Sequence, residues 1–130
     1  MNFGELIQSA DWKNEKHVPA IDTQEVVPVG QPFMVTVSVG KEIPHPNTVE
    51  HHISWIDLYF MPDGGKFVHQ VAHFELNAHG ASAKGANEGP VHSHPVVSFL
   101  MTLEVSGTLI AVEHCNIHGL WENSLEIQVE

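Results

Sequence analysis

Apolar residues recur at every second position through much of this chain, which is the period of a β-strand with one buried face. In FMVTVSV, residues 33–39, four apolar side chains fall on one face, with Thr36 and Ser38 on the other. ISWIDLYF (53–60) and LEIQV (125–129) alternate in the same way. We predict strands in these segments and in three others, KFVHQVAHFEL (66–76), VVSFLMTLEV (96–105) and TLIAVEH (108–114).

The turn signals and the scarcity of helical pattern indicate the fold class. MPDGGK (61–66) predicts a turn, Ser106-Gly107 predicts a two-residue hairpin, and only residues 3–9 have a helical pattern. Several short strands without helices between them predict an all-β fold, an immunoglobulin-like antiparallel β-sandwich with a short N-terminal helical segment. We expect residues 1–130 to form a single domain. Residues 41–49 and 78–95, rich in His, Pro, Gly and Asn, are predicted to be loops.

Charge and composition exclude several classes of partner. The 130 residues carry a formal net charge of −11, and all five basic residues are Lys, so we expect no nucleic-acid surface and no anionic membrane partner. No apolar run reaches the length of a membrane span, and the first residues do not resemble a signal peptide. One cysteine cannot form an internal disulfide. The expectation is a soluble cytoplasmic protein.

The eleven histidines in this chain are well above the usual composition, and several lie where a metal ligand would. His45 lies between two prolines in IPHPNT, which stiffens its loop. His17 and His51 lie in loops before predicted strands, while Cys115 and His118 follow one. Cys-x-x-His is a common metal-ligand spacing because one loop can turn both side chains toward one ion. Taken singly, each histidine more often belongs to the surface or the core, and a lone cysteine more often packs as a small hydrophobe.

Three motifs together give a specific resemblance. EKHVP, PHPNTVEHHI and CNIHGLW occur in this order, and the chain resembles the superoxide reductases of the neelaredoxin and desulfoferrodoxin family over most of its length. The resemblance implies one iron per chain, with an axial thiolate from Cys115 and four equatorial histidines, His17, His45, His51 and His118. It also implies that Glu15 can occupy the sixth position of ferric iron and that Lys16 lies beside the open site. Because Cys115 is the only thiol, the chain resembles the one-iron members.

The activity implied is the one-electron reduction of superoxide to hydrogen peroxide. The donor set agrees with iron chemistry, since five ligands exceed the four of a tetrahedral zinc site and a thiolate can donate electron density toward the position opposite it. The chain holds no second redox centre, so an external electron donor, rubredoxin-like in this family, is required. The resemblance also implies a homotetramer.

The other histidines are interpreted as surface or packing residues. His69 and His73 lie four apart in a predicted strand and should share a face, but no third ligand accompanies them. The His92-x-His94 pair resembles a cupin motif, but the Glu that a cupin needs shortly afterwards is missing. We expect His52 and His114 to point away from the metal and Trp121 to pack beside it.

Two functions of other classes remain open from the residues alone. A copper electron carrier would share a β-sandwich and a Cys-x-x-His-like loop, but no Met follows His118 at the spacing a cupredoxin uses. A metal-storage protein would explain the abundance of histidine, although storage needs neither a stiff loop around His45 nor a single thiolate. Metal content and the visible spectrum distinguish the three.

Overall fold

Nearly all the regular structure is β-strand, which confirms the all-β prediction. The computed structural model describes residues 1–130 and contains one 3₁₀ helix, Phe3–Leu6. The strands are β1 (Ala20–Asp22), β2 (Val26–Val27), β3 (Phe33–Ser38), β4 (Ile53–Pro62), β5 (His69–Glu75), β6 (Val96–Met101), β7 (Gly107–Cys115) and β8 (Gly119–Val129). None of the structure's helices has both the length and the apolar character to span a membrane.

The strands form two sheets with the hydrophobic core between them. One sheet has the order β1-β3-β6 and the other the order β2-β8-β7-β4-β5. Every pairing is antiparallel except that of the two-residue strand β2, which lies parallel to β8. A single cluster of 16 buried residues takes side chains from both sheets, an arrangement consistent with a β-sandwich.

The period-two pattern explains which side chains enter that core. In β3, Val35 and Val37 are completely buried, and in β4, Ile56, Leu58 and Phe60 lie on the core face. At about 25 cal/mol per Å² of apolar surface, this burial is the main stabilising contribution to the sandwich. The alternation was therefore a correct guide to the strands and to their inner faces.

The predicted hairpin at Ser106-Gly107 is wrong. β6 pairs with β3, whereas β7 pairs with β4 and β8, so the chain crosses between sheets at this point. Ser106 accepts a hydrogen bond from the Val129 N–H at its hydroxyl oxygen (2.8 Å) and another from the Asp63 N–H at its carbonyl (3.0 Å). Gly107 packs so closely on Phe60 that no Cβ would fit. Ser106 and Gly107 therefore allow the start of β7 to pack closely on its neighbours and do not form a tight turn.

The helical segment at the N-terminus is shorter than the predicted 3–9. Asn2 accepts a hydrogen bond from the Gly4 N–H (3.1 Å) at its side chain, and Ile7 is already extended. Phe3 and Ile7 lie against the outer face of the larger sheet. There they help to line an apolar groove of about 340 Å³ with Trp55, Tyr59, Val68, Ile110, Val112 and Leu120.

A β-bulge corrects the prediction that His69 and His73 share a face. The register between β4 and β5 shifts at Leu58/Tyr59, so that His73 pairs with Asp57 while His69 pairs with Phe60. Asp57 and Phe60 lie on opposite faces of β4, because side chains alternate along a strand. One extra residue in a strand reverses the faces beyond it, and the hydrophobic pattern did not reveal it.

Candidate metal centre

The turn between β7 and β8 holds Cys115 and His118 together. Cys115 is the last residue of β7 and pairs with Gly119, the first of β8, so the Cys-x-x-His segment is the turn of a hairpin. Gly119 has φ +81°, a left-handed conformation that glycine adopts without strain. The His118 N–H donates to the Cys115 Sγ (3.3 Å), and the His118 Nδ1 lies 3.8 Å from that sulfur. The turn therefore aims a thiol and an imidazole at one point.

The second pair of histidines comes from the loop that precedes β4. Ile53, the first residue of β4, is opposite Cys115 in the sheet, which brings His51 to the same end of the sandwich. The His45 Nδ1–H donates to the Pro46 carbonyl (2.7 Å), a bond that leaves the His45 Nε2 with a free lone pair. The Nε2 atoms of His45 and His51 are both buried and have no hydrogen-bond partner.

His17 reaches the site from the segment before β1. It is only 4% exposed, and the Trp121 ring stacks on it with a centroid separation of 4.8 Å, as expected for Trp121. The Glu15 carboxylate accepts hydrogen bonds from the His17 Nδ1 (2.7 Å) and the His17 backbone N–H (2.6 Å). This carboxylate fixes the tautomer of His17 and directs its Nε2 toward the other candidate metal-ligand atoms.

These donor atoms converge. One donor atom from each of four residues, His17, His45, His51 and Cys115, lies within 4.8 Å of the others. The fifth, the His118 Nδ1, lies 3.2 Å from the His17 Nε2. Two imidazole nitrogens at right angles about a metal, each bonded at about 2.1 Å, would be about 3 Å apart. Buried nitrogens with no partner, next to a thiol, fit a thiophilic metal ion that accepts imidazole.

Burial keeps the His45 and His51 imidazoles neutral. Burial lowers the pKa of His45 to about 4, and the charges of His17, His51 and Lys16 add to the effect. Burial also lowers the pKa of His51. Both imidazoles are therefore unprotonated at neutral pH, the form in which they bind a metal.

Glu15 is ionised under the same conditions. Burial alone would raise the pKa of Glu15, but the hydrogen bonds from His17 outweigh burial and hold it below its ordinary value. Its negative charge offsets part of the charge of a cation bound at the site.

Known proteins match the chain along its whole length. The family model described as desulfoferrodoxin matches residues 9–124. The chain belongs to the desulfoferrodoxin family. It is 52% identical over 130 residues to the neelaredoxin of Megalodesulfovibrio gigas, with all of both chains covered. It is 49% identical over 126 residues to the superoxide reductase of Pyrococcus furiosus, covering 97% of this chain and 99% of that one.

The solved structures agree with the sequence relatives. The superoxide reductase (neelaredoxin) of Archaeoglobus fulgidus in its reduced form superimposes with a TM-score of 0.88 at 51% identity, covering 95% of this chain and 98% of that one. The predicted resemblance is thus confirmed. Membership of the desulfoferrodoxin family leaves no support for the cupredoxin alternative.

Glu113 is a residue of this desulfoferrodoxin fold that the sequence interpretation missed. It lies on the buried face of β7 between Ala111 and Cys115, is completely buried, and has no hydrogen-bond partner for either side-chain oxygen. Burial, together with the charge of Glu15, raises the pKa of Glu113 to about 9. The side chain is therefore neutral at pH 7. An acidic residue on the apolar face of an alternating strand was the signal that could have identified it.

The remaining histidines lie outside the centre, as expected. His114 points to the other face of β7 and stacks on Trp55, with ring centroids 5.7 Å apart. His52 stacks on His79, with centroids 3.6 Å apart. His73 forms an ion pair with Asp57 on the outer face of the larger sheet. No second group of histidines converges as the first does.

Proposed function

We propose that one iron ion per chain is held by His17, His45, His51, His118 and Cys115. The observation that carries the proposal is the pair of buried, unpartnered Nε2 atoms of His45 and His51 beside the Cys115 thiol. Five donors exceed the four of a structural zinc site, and a thiolate with imidazoles suits iron. Family membership points to the same metal.

The protein is a superoxide reductase, which converts superoxide to hydrogen peroxide. Each superoxide gains one electron and two protons. Iron bound by these residues would supply this electron, and an outside donor would reduce it again. The chain's own residues supply the donor atoms and the local charge that attracts the anion.

Lys16 is proposed to attract the substrate. A molecule with a net charge of −11 repels an anion at long range, so attraction must come from a local positive region. The Lys16 charge contributes to the lowered pKa of both His45 and His51, which supports its position beside the donors. The Lys16 charge would thus attract superoxide to a metal held by these residues.

Glu15 is proposed to have two alternative partners. It accepts two hydrogen bonds from His17, and the family resemblance gives it a second position at the metal. Beside His17 the pKa of Glu15 lies below its ordinary value, so the carboxylate is ionised there. In the first position it orients His17, and in the second it would bind the metal between turnovers.

Metal analysis with the visible spectrum of protein purified in air tests this function. We expect one iron per chain and a blue absorption band from charge transfer between the Cys115 thiolate and ferric iron. Zinc in a colourless protein, or copper with a cupredoxin spectrum, would contradict the proposal.

The partners and the location are also proposals. A rubredoxin-like protein is proposed as the electron donor, and stopped-flow reduction of the ferric protein by reduced rubredoxin tests it; no reduction would reject it.

We propose a homotetramer because the apolar groove beside Trp55 offers a surface for association, and a monomer mass in light scattering would reject it. The buried free thiol suits a reducing compartment, so we propose a cytoplasmic location, which detection only in a secreted fraction would reject.

Two finer points of the fold are proposed as well. We infer an immunoglobulin-like strand arrangement from the two facing antiparallel sheets and a single domain over residues 1–130 from their common core. A single cooperative unfolding transition by two different probes supports the single domain, and two separate transitions would contradict it.

A further inference from the structure

The segment between β5 and β6, residues 76–95, supplies none of the proposed ligands but contacts the loop that carries two of them. The side-chain carbonyl of Asn87 accepts a hydrogen bond from the Val49 N–H (2.8 Å), and its amide donates to the Glu50 carboxylate (2.8 Å). Val49 and Glu50 directly precede His51. The Asn87 side chain therefore holds the backbone of Val49 and the side chain of Glu50. Both residues lie immediately before the proposed ligand His51.

The backbone of Asn87 suggests why an amide side chain is present. Asn87 has φ +67° and is the only non-glycine residue with a positive φ. This left-handed conformation is costly for most residues, and glycine would adopt it without strain. Glycine would complete the turn but could not make the two bonds to the ligand loop.

A second contact reaches the middle of the same loop. His79, which is 8% exposed, donates from its Nε2 to the Leu76 carbonyl (2.6 Å), and its Nδ1 lies 3.2 Å from the Asn47 side-chain oxygen. The Asn47 amide donates to the Ser93 carbonyl (3.0 Å), and His52 stacks on the His79 ring. Residues 76–95 thus contact the loop at two places. One is Asn47, between the proposed ligands His45 and His51, and the other is His52, directly after His51.

The contacting segment is itself closed by backbone hydrogen bonds. The Gly80 N–H donates to the Val91 carbonyl (3.1 Å), and the Gly89 N–H donates to the Gly80 carbonyl (2.9 Å). A Cβ on Gly89 would overlap the Ala81 carbonyl, so the two halves of the segment approach as closely as backbone allows. Such a closed segment can act as a rigid support.

We infer that residues 76–95 brace the ligand loop and that Asn87 is a positioning residue that holds His51, and with it His45, in the geometry of the metal site. The inference rests on the proposed iron site. Groups that orient metal ligands from outside the coordination sphere typically change metal affinity by about 10–100-fold when they are replaced. The effect should therefore be on retention of the metal rather than on which metal binds.

The experiment compares iron release from matched variants. Asn87→Gly removes both contacts without backbone strain, and Asn87→Asp places a carboxylate against the carboxylate of Glu50. The double variant Asn87→Asp/Glu50→Gln restores a donor–acceptor pair. Ser82→Ala is the control, because it removes the hydrogen bond that the Lys84 N–H donates to the Ser82 hydroxyl (3.1 Å) within the same segment, and none to the ligand loop.

Release to an excess of chelator is followed by the loss of the thiolate-to-iron band, and the metal-free proteins are unfolded in urea in parallel. We expect release about ten times faster for both single variants at Asn87, and a rate close to wild type for the double variant and for Ser82→Ala. Equal release rates in an iron-loaded set, or a double variant as fast as Asn87→Asp, would overturn the brace and leave the proposed function intact. A wild-type chain that binds no iron would instead overturn the proposed function and the brace with it.

Discussion

At the scale of single residues, Cys115 is the proposed thiolate ligand of the metal centre. Cys115→Ser preserves nearly the same volume but replaces a thiolate with a hydroxyl, a poor ligand for iron. We expect the fold to persist, iron to be held more weakly, and the blue band and the reductase activity to disappear. Circular dichroism, metal analysis and the visible spectrum of the variant measure these three properties. Retention of both the band and the activity would show that the sulfur is not a ligand.

Substitution of Lys16 tests whether a local positive charge attracts superoxide despite the net charge of −11. A lysine about 6 Å from an incoming anion contributes about 1–3 kcal/mol at an effective dielectric constant of about 20–40. At about 1.4 kcal/mol per factor of ten, Lys16→Ala should slow the second-order reaction with superoxide by roughly tenfold. The reaction should also depend less on salt, because the local attraction that salt screens is lost.

Pulse radiolysis of wild type, Lys16→Ala and Lys16→Arg over a series of salt concentrations measures this effect. Lys16→Arg retains the charge and serves as the matched control, and iron content should be the same in all three. Equal rates and equal salt dependences would leave Lys16 as an ordinary surface residue.

At the scale of elements, the start of β7 is packed too closely to accept a side chain. A Cβ on Gly107 would lie 2.5 Å from the Phe60 ring and would also overlap the Met61 carbonyl. Gly107→Ala should therefore lower the free energy of unfolding by about 1–3 kcal/mol, the usual cost of overpacking. Urea unfolding measures it, with Gly4→Ala as a control because only Asn2 lies within 4 Å of that Cβ. Equal losses in the two variants would contradict the packing argument.

The pairing of β4 with β5 should depend on pH through His73. Hydrogen bonds to Asp57 and then to Glu75 raise the pKa of His73 above its ordinary value of 6.5. A raised pKa means that the folded state binds the proton more tightly than the unfolded state. The stabilisation is therefore complete below pH 6.5 and is lost as pH rises through the pKa of the folded state.

His73→Gln keeps a polar side chain but does not titrate, so its stability should not show this decline. Urea unfolding of both proteins across this pH range measures the difference, and parallel pH profiles would contradict a raised pKa of His73.

A strand could be predicted only where its own sequence shows the alternation of apolar and polar residues. The alternation in β3 and β4 predicted both strands, since every second residue enters one core. The first half of β8, with the sequence GLWENS, does not alternate between apolar and polar residues and was missed, because it forms a strand only by pairing with β7. The two-residue strand β2 also exists only through a distant partner. The bulge in β5 and the sheet crossing at Ser106 are likewise determined by tertiary contacts.

At the scale of the whole molecule, the proximity of the candidate ligands was more predictable than the details of the fold around them. Three short motifs in loops or at strand ends contain the five residues, and the sandwich brings these segments to one end: His17, His45, His51, His118 and Cys115. Their ligand roles stay a prediction, whereas their proximity is a property of the structure. The contacts of Asn87 with Val49 and Glu50 were not predictable, because no local pattern records contacts between segments so far apart in the sequence.

The stoichiometry of superoxide consumption tests the central claim most directly. A reductase with an external electron donor forms one hydrogen peroxide for each superoxide consumed and releases no oxygen. A dismutase forms oxygen from half of the superoxide. We expect an oxygen electrode and a peroxide assay, run together on the iron-loaded protein with a reduced donor, to give one peroxide per superoxide and no oxygen. Oxygen evolution at half the amount of superoxide consumed, with the donor left reduced, would contradict the account.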